Sequence, residues 1–353
     1  MLRVNKLDKI KEENNAKNLL IVGEPNLFYF TGYRGVGGLL DCDGSRTLIV
    51  PILERNRATK LKELDVKAYY PVKLENDVIE GNLVRAVETL CPQSGELLVD
   101  VGYTSVDLFL QLNTKYKIKN ITDKILQIRS IKEEQEIEAI RNAHKATSLA
   151  MKQAKEAITE GIKEVELAGI IDMAMRKGGA EDYAFPSIVA FGENSAEPHH
   201  IPTRRPLRKG DSIVVDIGAK YDGYSFDSTR TFLFDSTEKE KRIYEVVLEA
   251  QLEAIDAVTD GVESSLIDKI ARDRIERSGY GKYFVHSTGH GVGIEVHESP
   301  TISMRSKDIL KEGMIVTVEP GIYLHGETGV RIEDTILVRK GKPEVMETLF
   351  KTL

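Results

Sequence analysis

Along the first part of the chain, apolar residues switch repeatedly between the spacing of an amphipathic helix and that of a strand. Residues 4–13 read as a helix, 18–22 as a strand and 26–31 as a short helix, and 39–50 as a hairpin turned at Asp43-Gly44. A helix over 53–64, strands at 66–70 and 96–99, a helix over 105–112 and a strand at 116–121 complete an α/β domain over residues 1–125. Its glycine-rich stretch, Gly35-Val-Gly-Gly, lacks the spacing of a phosphate or dinucleotide loop, so no nucleotide is expected there.

From residue 126 onward the pattern changes. Ser130-Ile-Lys-Glu133 reads as a capping box opening a long helix, whose apolar stripe runs through Ile137, Ile140, Thr147, Met151, Ala154 and Ile158. His144 lies on that stripe, which is the setting of a satisfied core or boundary histidine. A helix over 165–177 ends at Gly178-Gly179, a second capping box at Thr237–Glu240 starts a helix through Ile243, Val247, Ala250 and Ala254, and a third helix covers 264–278. Between these helices lie hairpins, which together predict an α+β domain over residues 126–353 with a curved antiparallel sheet backed by helices.

The hairpins carry acids. Ile213, Val214 and Val215 form an apolar strand that ends on Asp216, and the return strand carries Asp227; Ile315, Val316 and Val318 lead to Glu319, and the following strand carries Glu333. Aligning Gly210 with Gly313 superimposes Val215-Asp216-Ile-Gly218 on Val318-Glu319-Pro-Gly321, and Asp227-Ser-Thr on Glu333-Asp-Thr with a longer turn. Upstream, Ala157-Ile-Thr-Glu-Gly-Ile repeats as Ala257-Val-Thr-Asp-Gly-Val. The second domain therefore reads as a duplication in which each half contributes two carboxylates to one centre. Like charges held together in a half-buried sheet repel strongly, and a cation or shared protons must offset the cost.

Composition narrows the partners. The chain has 353 residues, 41% hydrophobic and 30% charged, with 56 acidic against 49 basic side chains and a formal net charge of -7, so neither nucleic acid nor an anionic membrane is an expected partner. The densest basic run, Arg204, Arg205, Arg208 and Lys209, reads as a solvated loop or a counterweight to the acidic centre. Cys42 and Cys91 have no metal-like spacing and are expected as reduced, buried thiols. No stretch approaches the length of a membrane helix or a signal core, so a cytoplasmic location is expected.

Six of the seven histidines fall between His199 and His325, the region of the acidic hairpins. His290 stands between glycines in Thr288-Gly-His-Gly-Val-Gly, where the backbone can enter a crowded centre. Asp216, Asp227, His290, Glu319 and Glu333 thus form a candidate set for two divalent metal ions, with manganese or cobalt first and zinc or iron as alternatives, suited to peptide or amide hydrolysis. Arg331 is two residues before Glu333 on the same strand face and can pair with it or grip a substrate carboxylate, and Tyr323 can assist.

Asp216-Ile-Gly, Asp227-Ser-Thr-Arg-Thr, Gly289-His-Gly-Val-Gly with His297-Glu298, Glu319-Pro-Gly-Ile-Tyr and Val330-Arg-Ile-Glu333-Asp closely resemble the pita-bread metallopeptidases of the prolidase and aminopeptidase P type. Asn26-Leu-Phe-Tyr-Phe-Thr-Gly-Tyr is similar to that family's creatinase-like N-terminal domain. The resemblance implies that Asp216 binds one ion and His290 and Glu319 the other, that Asp227 and Glu333 bridge, and that Glu319 takes the proton of the attacking water. It places His199 beside the scissile bond, has His297 bind substrate and stabilise the tetrahedral intermediate, and puts His286 and Arg331 in the pocket; it assigns no role to His200. It further implies a homodimer acting on small peptides with proline in second position, as an Xaa-Pro dipeptidase. The alternative it leaves is an aminopeptidase P acting on longer peptides, and more remotely an inactive binding protein of the same fold.

Overall fold

Leu19, Leu20 and Ile21, Leu48, Ile49 and Val50, and Leu97, Leu98 and Val99 are all buried completely, three continuous apolar runs of the kind a strand needs when both its faces are covered. They form the centre of the first of two units, Met1–Arg129 and Ser130–Leu353, in the computed structural model, which describes residues 2–347, 349 and 351.

In chain order the first unit comprises α1 (Lys6–Asn14), β1 (Asn18–Ile21), α2 (Glu24–Thr31), β2 (Gly38–Cys42), β3 (Ser45–Pro51), α3 (Arg55–Ala58), β4 (Asp65–Tyr70), β5 (Val78–Glu80), α4 (Leu83–Leu90), β6 (Glu96–Val99), α5 (Val106–Asn113), β7 (Lys117–Asn120) and α6 (Thr122–Ser130). The sheet runs β5-β4-β3-β2-β1-β6-β7, antiparallel across β1, β2 and β3 and parallel outward on both sides. The expected hairpin turns at Asp43-Gly44, both with positive φ.

Three expectations change in this unit. The helix over 53–64 reduces to a 3₁₀ turn at Ile52–Glu54 and the four-residue α3, because Ala58 alone in that stretch is buried while Leu53 stands 90% exposed. With no apolar stripe to cover, a longer helix has nothing to hold it. The strand β5 and the helices α4 and α6 were not anticipated; α4 is capped by Asn82, whose side chain accepts the Arg85 N–H at 3.0 Å. The cysteines are not thiols: Cys42 at the end of β2 and Cys91 at the end of α4 form a disulfide, with Cα atoms 5.8 Å apart. Their 49-residue separation carries no spacing signal, and the sheet brings them together.

The second unit begins with α7 (Glu134–Ala157) and α8 (Glu164–Lys177), followed by β8 (Asp182–Tyr183), β9 (Ile188–Phe191), β10 (Ser212–Ile217), β11 (Ala219–Tyr221), β12 (Tyr224–Ser225) and β13 (Ser228–Leu233). Then come α9 (Glu238–Asp256), α10 (Ser264–Arg277), β14 (Gly289–Gly291), β15 (Glu298–Ile302), β16 (Ile315–Val318), β17 (Gly321–Leu324), β18 (Thr328–Arg331), β19 (Asp334–Leu337) and β20 (Glu344–Val345). The box expected at Ser130 sits three residues later: Ser130 ends α6, and the Glu133 N–H is capped by Glu136 Oε2 at 3.0 Å. Among the described residues, no helix is long and apolar enough to cross a membrane.

The duplication is visible in the backbone. The α7–α8 pair packs over β13-β10-β9 around Met151, Leu167, Ile171, Ile213 and Val215, and α9–α10 packs over β14, β16 and β19 around Ile243, Val247, Ile267, Val316 and Ile336. Gly161 and Gly261 both adopt left-handed φ, at 88° and 87°. Gly161 N–H donates to Leu207 O at 3.0 Å and Gly261 N–H to Leu310 O at 2.8 Å, while the Leu207 and Leu310 amides return to Ile162 O and Val262 O, both at 2.8 Å. Of the basic run, read as a solvated loop or a counterweight to the acidic centre, Arg205 pairs with Asp211 and Glu193 and Lys209 with Asp235, none of them among the four acids.

Candidate metal centre

Asp216 stands within β10, a strand buried at every position, and pairs across the ladder with Thr229 of β13; Asp227 immediately precedes β13. In the second half Glu319 immediately follows β16 and Glu333 immediately precedes β19. The halves are joined edge to edge. Glu333 N–H donates to Thr229 O at 3.1 Å, Thr335 Oγ1 to Asp227 O at 2.8 Å, and Thr231 Oγ1 to Arg331 O at 2.8 Å. These bonds carry no apolar periodicity, which is why sequence alone could align the halves but not dock them.

His290 enters from β14, between β15 and β16. A Cβ on Gly289 would fall 2.0 Å from Thr317 O, and one on Gly291 would fall 2.3 Å from Ser299 O, so only glycine lets this strand fit where it holds the imidazole. Nδ1 of His290 donates to Gly291 O at 3.0 Å, leaving Nε2 toward the acids, 3.2 Å from Glu319 Oε1 and 3.7 Å from Asp227 Oδ2. A ring nitrogen fixed on a carbonyl with its other nitrogen presented inward is the arrangement of a metal-ligating histidine.

Asp216, Asp227, His290, Glu319 and Glu333 all line one cleft of about 610 Å³. Within it, ligand atoms of Asp227, His290 and Glu333 lie within 4.8 Å of one another. Asp216 Oδ1, Asp227 Oδ1 and Glu333 Oε1 are buried and accept no hydrogen bond. Burial and repulsion from Glu333, Asp216 and Glu319 push the Asp227 carboxyl far above the ordinary range, and burial with Glu319 and Asp216 does the same to Glu333. Glu319 goes the other way: burial raises it, but the hydrogen bond and charge of His290 outweigh that and hold it at about 2. Buried acids with bare oxygens aimed at a shared space and a presented imidazole fit divalent cations and little else.

The remaining residues divide into two groups. Arg331 pairs with Asp216 rather than Glu333: one amino group meets Asp216 Oδ2 at 2.6 Å, the other Tyr323 Oη at 2.8 Å, and Nε meets Thr229 Oγ1 at 3.2 Å. Nδ1 of His286 donates to Ser287 O at 2.7 Å, so Nε2 accepts the Tyr323 hydroxyl at 2.8 Å. Burial pulls His286 below its ordinary value and lifts Tyr323 to about 12, so both are neutral. On the open side, the His297 ring stands edge-on to His290 at 4.3 Å, and His199 lines the cleft with Phe185, Pro186, Ile188, Pro198, Ile201 and Pro202. His325 does not line it, and His144 lies elsewhere, against Phe226 and Glu347. Sequence reasoning passed over two residues: His200, in the cleft wall, and the buried Glu164 behind it.

The description of metallopeptidase family M24 fits residues 138–340, and that of the creatinase/prolidase N-terminal domain fits residues 3–131. The chain is 40% identical over 340 residues to an Xaa-Pro dipeptidase of Pyrococcus furiosus, covering 95% of this chain and 94% of that one. Among solved structures, a prolidase from Pyrococcus horikoshii OT3 superimposes with a TM-score of 0.91 at 36% identity, covering 99% of this chain and 98% of the other. An X-Pro aminopeptidase from Thermotoga maritima superimposes with a TM-score of 0.85 at 33% identity, over 97% and 99%.

Proposed function

The chain belongs to metallopeptidase family M24, and from that premise we propose that it hydrolyses the Xaa-Pro bond at peptide N-termini as an Xaa-Pro dipeptidase. The observation that carries this reading is the set of buried, bare carboxylate oxygens of Asp216, Asp227 and Glu333 converging with Nε2 of His290. The proposed complement is two divalent ions, manganese or cobalt, held by Asp216, Asp227, His290, Glu319 and Glu333. Bound there, such ions would supply the Lewis acidity that makes water nucleophilic at neutral pH and a carbonyl electrophilic.

The chain's own residues do the rest. Glu319 takes the proton of the attacking water and returns it to the prolyl nitrogen, which has no hydrogen of its own and must be protonated as the C–N bond breaks. His297 donates to the oxygen on which charge develops, and His199 holds the substrate beside the bond. Arg331, gripped by Tyr323 and Thr229, fixes Asp216. Phe185, Pro186, Ile188 and Pro198 give the cleft an apolar side against which a proline ring can be desolvated.

One observation favours longer peptides as a second reading: among the described lining residues Arg331 is the sole Lys or Arg, and its guanidinium is already committed, so a dipeptide's carboxylate meets no spare cation. Both readings meet one experiment. Metal-stripped protein should be inactive and manganese-loaded protein active on an Xaa-Pro dipeptide; clear preference for an Xaa-Pro tripeptide transfers the assignment to an aminopeptidase, and no turnover of either with metal removes it.

A homodimer is also proposed, with the first domain serving as the contact. Val36, Leu53, Val72 and Leu74 are each exposed, and the ion pairs of Arg55 with Glu75 and Asp77 bring the segments that carry Leu53, Val72 and Leu74 near one another. Sedimentation should give twice the chain mass, and L53D should lower it. A cytoplasmic location is part of the same proposal, and the disulfide must then persist there, which thiol counting on freshly recovered protein can check.

A further inference from the structure

His199 lines the cleft and makes no hydrogen bond among the described residues. Its position is therefore set by its backbone, and that backbone is held by its neighbour. His200 is 6% exposed, with Nδ1 2.9 Å from Glu197 Oε2 and Nε2 3.0 Å from Glu164 Oε2. An ionised carboxylate only accepts, so both ring nitrogens carry protons and His200 stands in the wall as an imidazolium. Burial pulls its pKa down, but Glu197 and Glu164 more than offset this and leave it above the ordinary value.

Glu164, the first residue of α8 and completely buried, is the fixed end of this arrangement. Oε1 accepts the Phe191 N–H and the Asn194 side-chain amide, both at 2.9 Å. Oε2 accepts His200 Nε2, the Thr203 N–H at 2.8 Å and Thr203 Oγ1 at 2.5 Å. Five donors from residues 191–203 thus converge on one carboxylate, spanning the whole loop that carries His199.

The duplicated half supplies an internal control. Ser264 begins α10 as Glu164 begins α8, and the backbone around them matches: Glu164 N–H donates to Arg205 O at 3.2 Å and Ser264 N–H to Asp308 O at 2.9 Å. Yet Ser264 Oγ is buried without a partner. The helix start therefore does not require the clamp, and it occurs in the half whose loop forms the cleft wall.

We propose that Glu164 and His200 are positioning residues for the hydrolysis, a buried carboxylate–imidazolium pair that fastens residues 197–203 so that His199, Ile201 and Pro202 face the substrate. Neither residue hydrogen-bonds to a metal ligand, and the proposal rests on the peptidase reading of the cleft. It predicts that His200 acts through His199. In manganese-loaded, full-length protein, H200A lowers kcat/KM on an Xaa-Pro dipeptide about 10–100-fold with bound metal unchanged, the loss expected of a misplaced contact. H200Q, whose amide can still donate to Glu164, recovers most of that loss. The double variant H199A/H200A is no slower than H199A, because the two losses are one loss. Losses that multiply, or an H200A variant at parental kcat/KM, overturn the proposal. A second measurement does not depend on activity: amide exchange in residues 197–203 should rise about ten-fold in H200A and E164Q while β10 and β16 stay protected. Unchanged protection of 197–203 overturns the clamp whatever the enzyme cleaves, whereas a parent inactive on Xaa-Pro peptides but showing the exchange change keeps the clamp and removes the peptidase reading.

Discussion

Glu333 is 1% exposed, accepts Thr229 Oγ1 at 2.8 Å on one oxygen and leaves the other bare. Without a cation its charge is opposed by burial, Glu319 and Asp216, so the metal-free centre is a place of stored repulsion. E333Q keeps the shape and the acceptor for Thr229 while removing that charge. The chelated E333Q protein should therefore be at least as stable as chelated parent, by roughly 1–2 kcal/mol, while manganese should no longer raise its melting temperature. A chelated variant less stable than chelated parent would mean that repulsion is not what the centre stores. E319Q tests a different role at the same centre: kcat should fall by about 10²–10⁴, the span of a lost general base, with the fold intact by circular dichroism. Near-parental kcat would remove Glu319 as the base. The meeting of the four acids and His290 in one cleft was legible in sequence, because each half pairs an acid closing an apolar strand with a second acid on the return strand and the imidazole is fenced by glycines. Glu164 and His200 were not, because a glutamate in a helix's first turn reads as an ordinary favourable end charge and a second histidine beside His199 has no periodicity of its own.

At the scale of elements, the hairpins β10–β13 and β16–β19 are closed from behind by the segment after β20. Glu347 is buried and accepts Ser228 Oγ at 2.7 Å, with His144 Nε2 of α7 at 3.2 Å, and Ser228 is the residue next to the proposed ligand Asp227. Burial alone would raise its carboxyl, but His144, the Arg230 charge and Ser228 together lower it from the ordinary 4.5 to about 2. A depressed carboxylate contributes stability that is present above the unfolded value and lost as pH falls through the folded one. E347Q should therefore flatten the loss of stability between pH 4.5 and about 2 and cost up to about 3 kcal/mol at neutral pH, read by urea unfolding across that range. An unchanged acid slope would show that other carboxylates carry it. Elements were legible where the apolar stripe was long: α7, α9 and α10 announced themselves through continuous buried positions. Where a helix buries two or three residues, as α4 does with Val84, Ala86 and Val87, or where leucines are left in solvent, as at Leu53, the sheet rather than local pattern sets the outcome.

Across the whole molecule, each unit holds one strong cross-link of different chemistry. The first carries the disulfide from β2 to α4, and the second carries the acids that a divalent cation would draw together across its two halves. Closing a loop of 49 residues stabilises by ~4 kcal/mol in the chain-entropy account. That is a large share of the 5–15 kcal/mol on which a domain ordinarily stands. Composition showed two cysteines and a long chain but could not show this, since the partners meet only once the seven strands are in order. Hydrogen exchange separates the two devices. Reduction should accelerate exchange in β1, β2, β3 and α4 by as much as about a thousand-fold, at ~1.4 kcal/mol per factor of ten, and leave β10, β13, β16 and β19 unmoved. Chelation should do the reverse, because the repelling acids lie at the ends of those four strands. If reduction loosens the acid-bearing strands as much as its own sheet, the cross-link is not a local device of the first unit, and the C42S/C91S variant should then lose metal affinity along with stability.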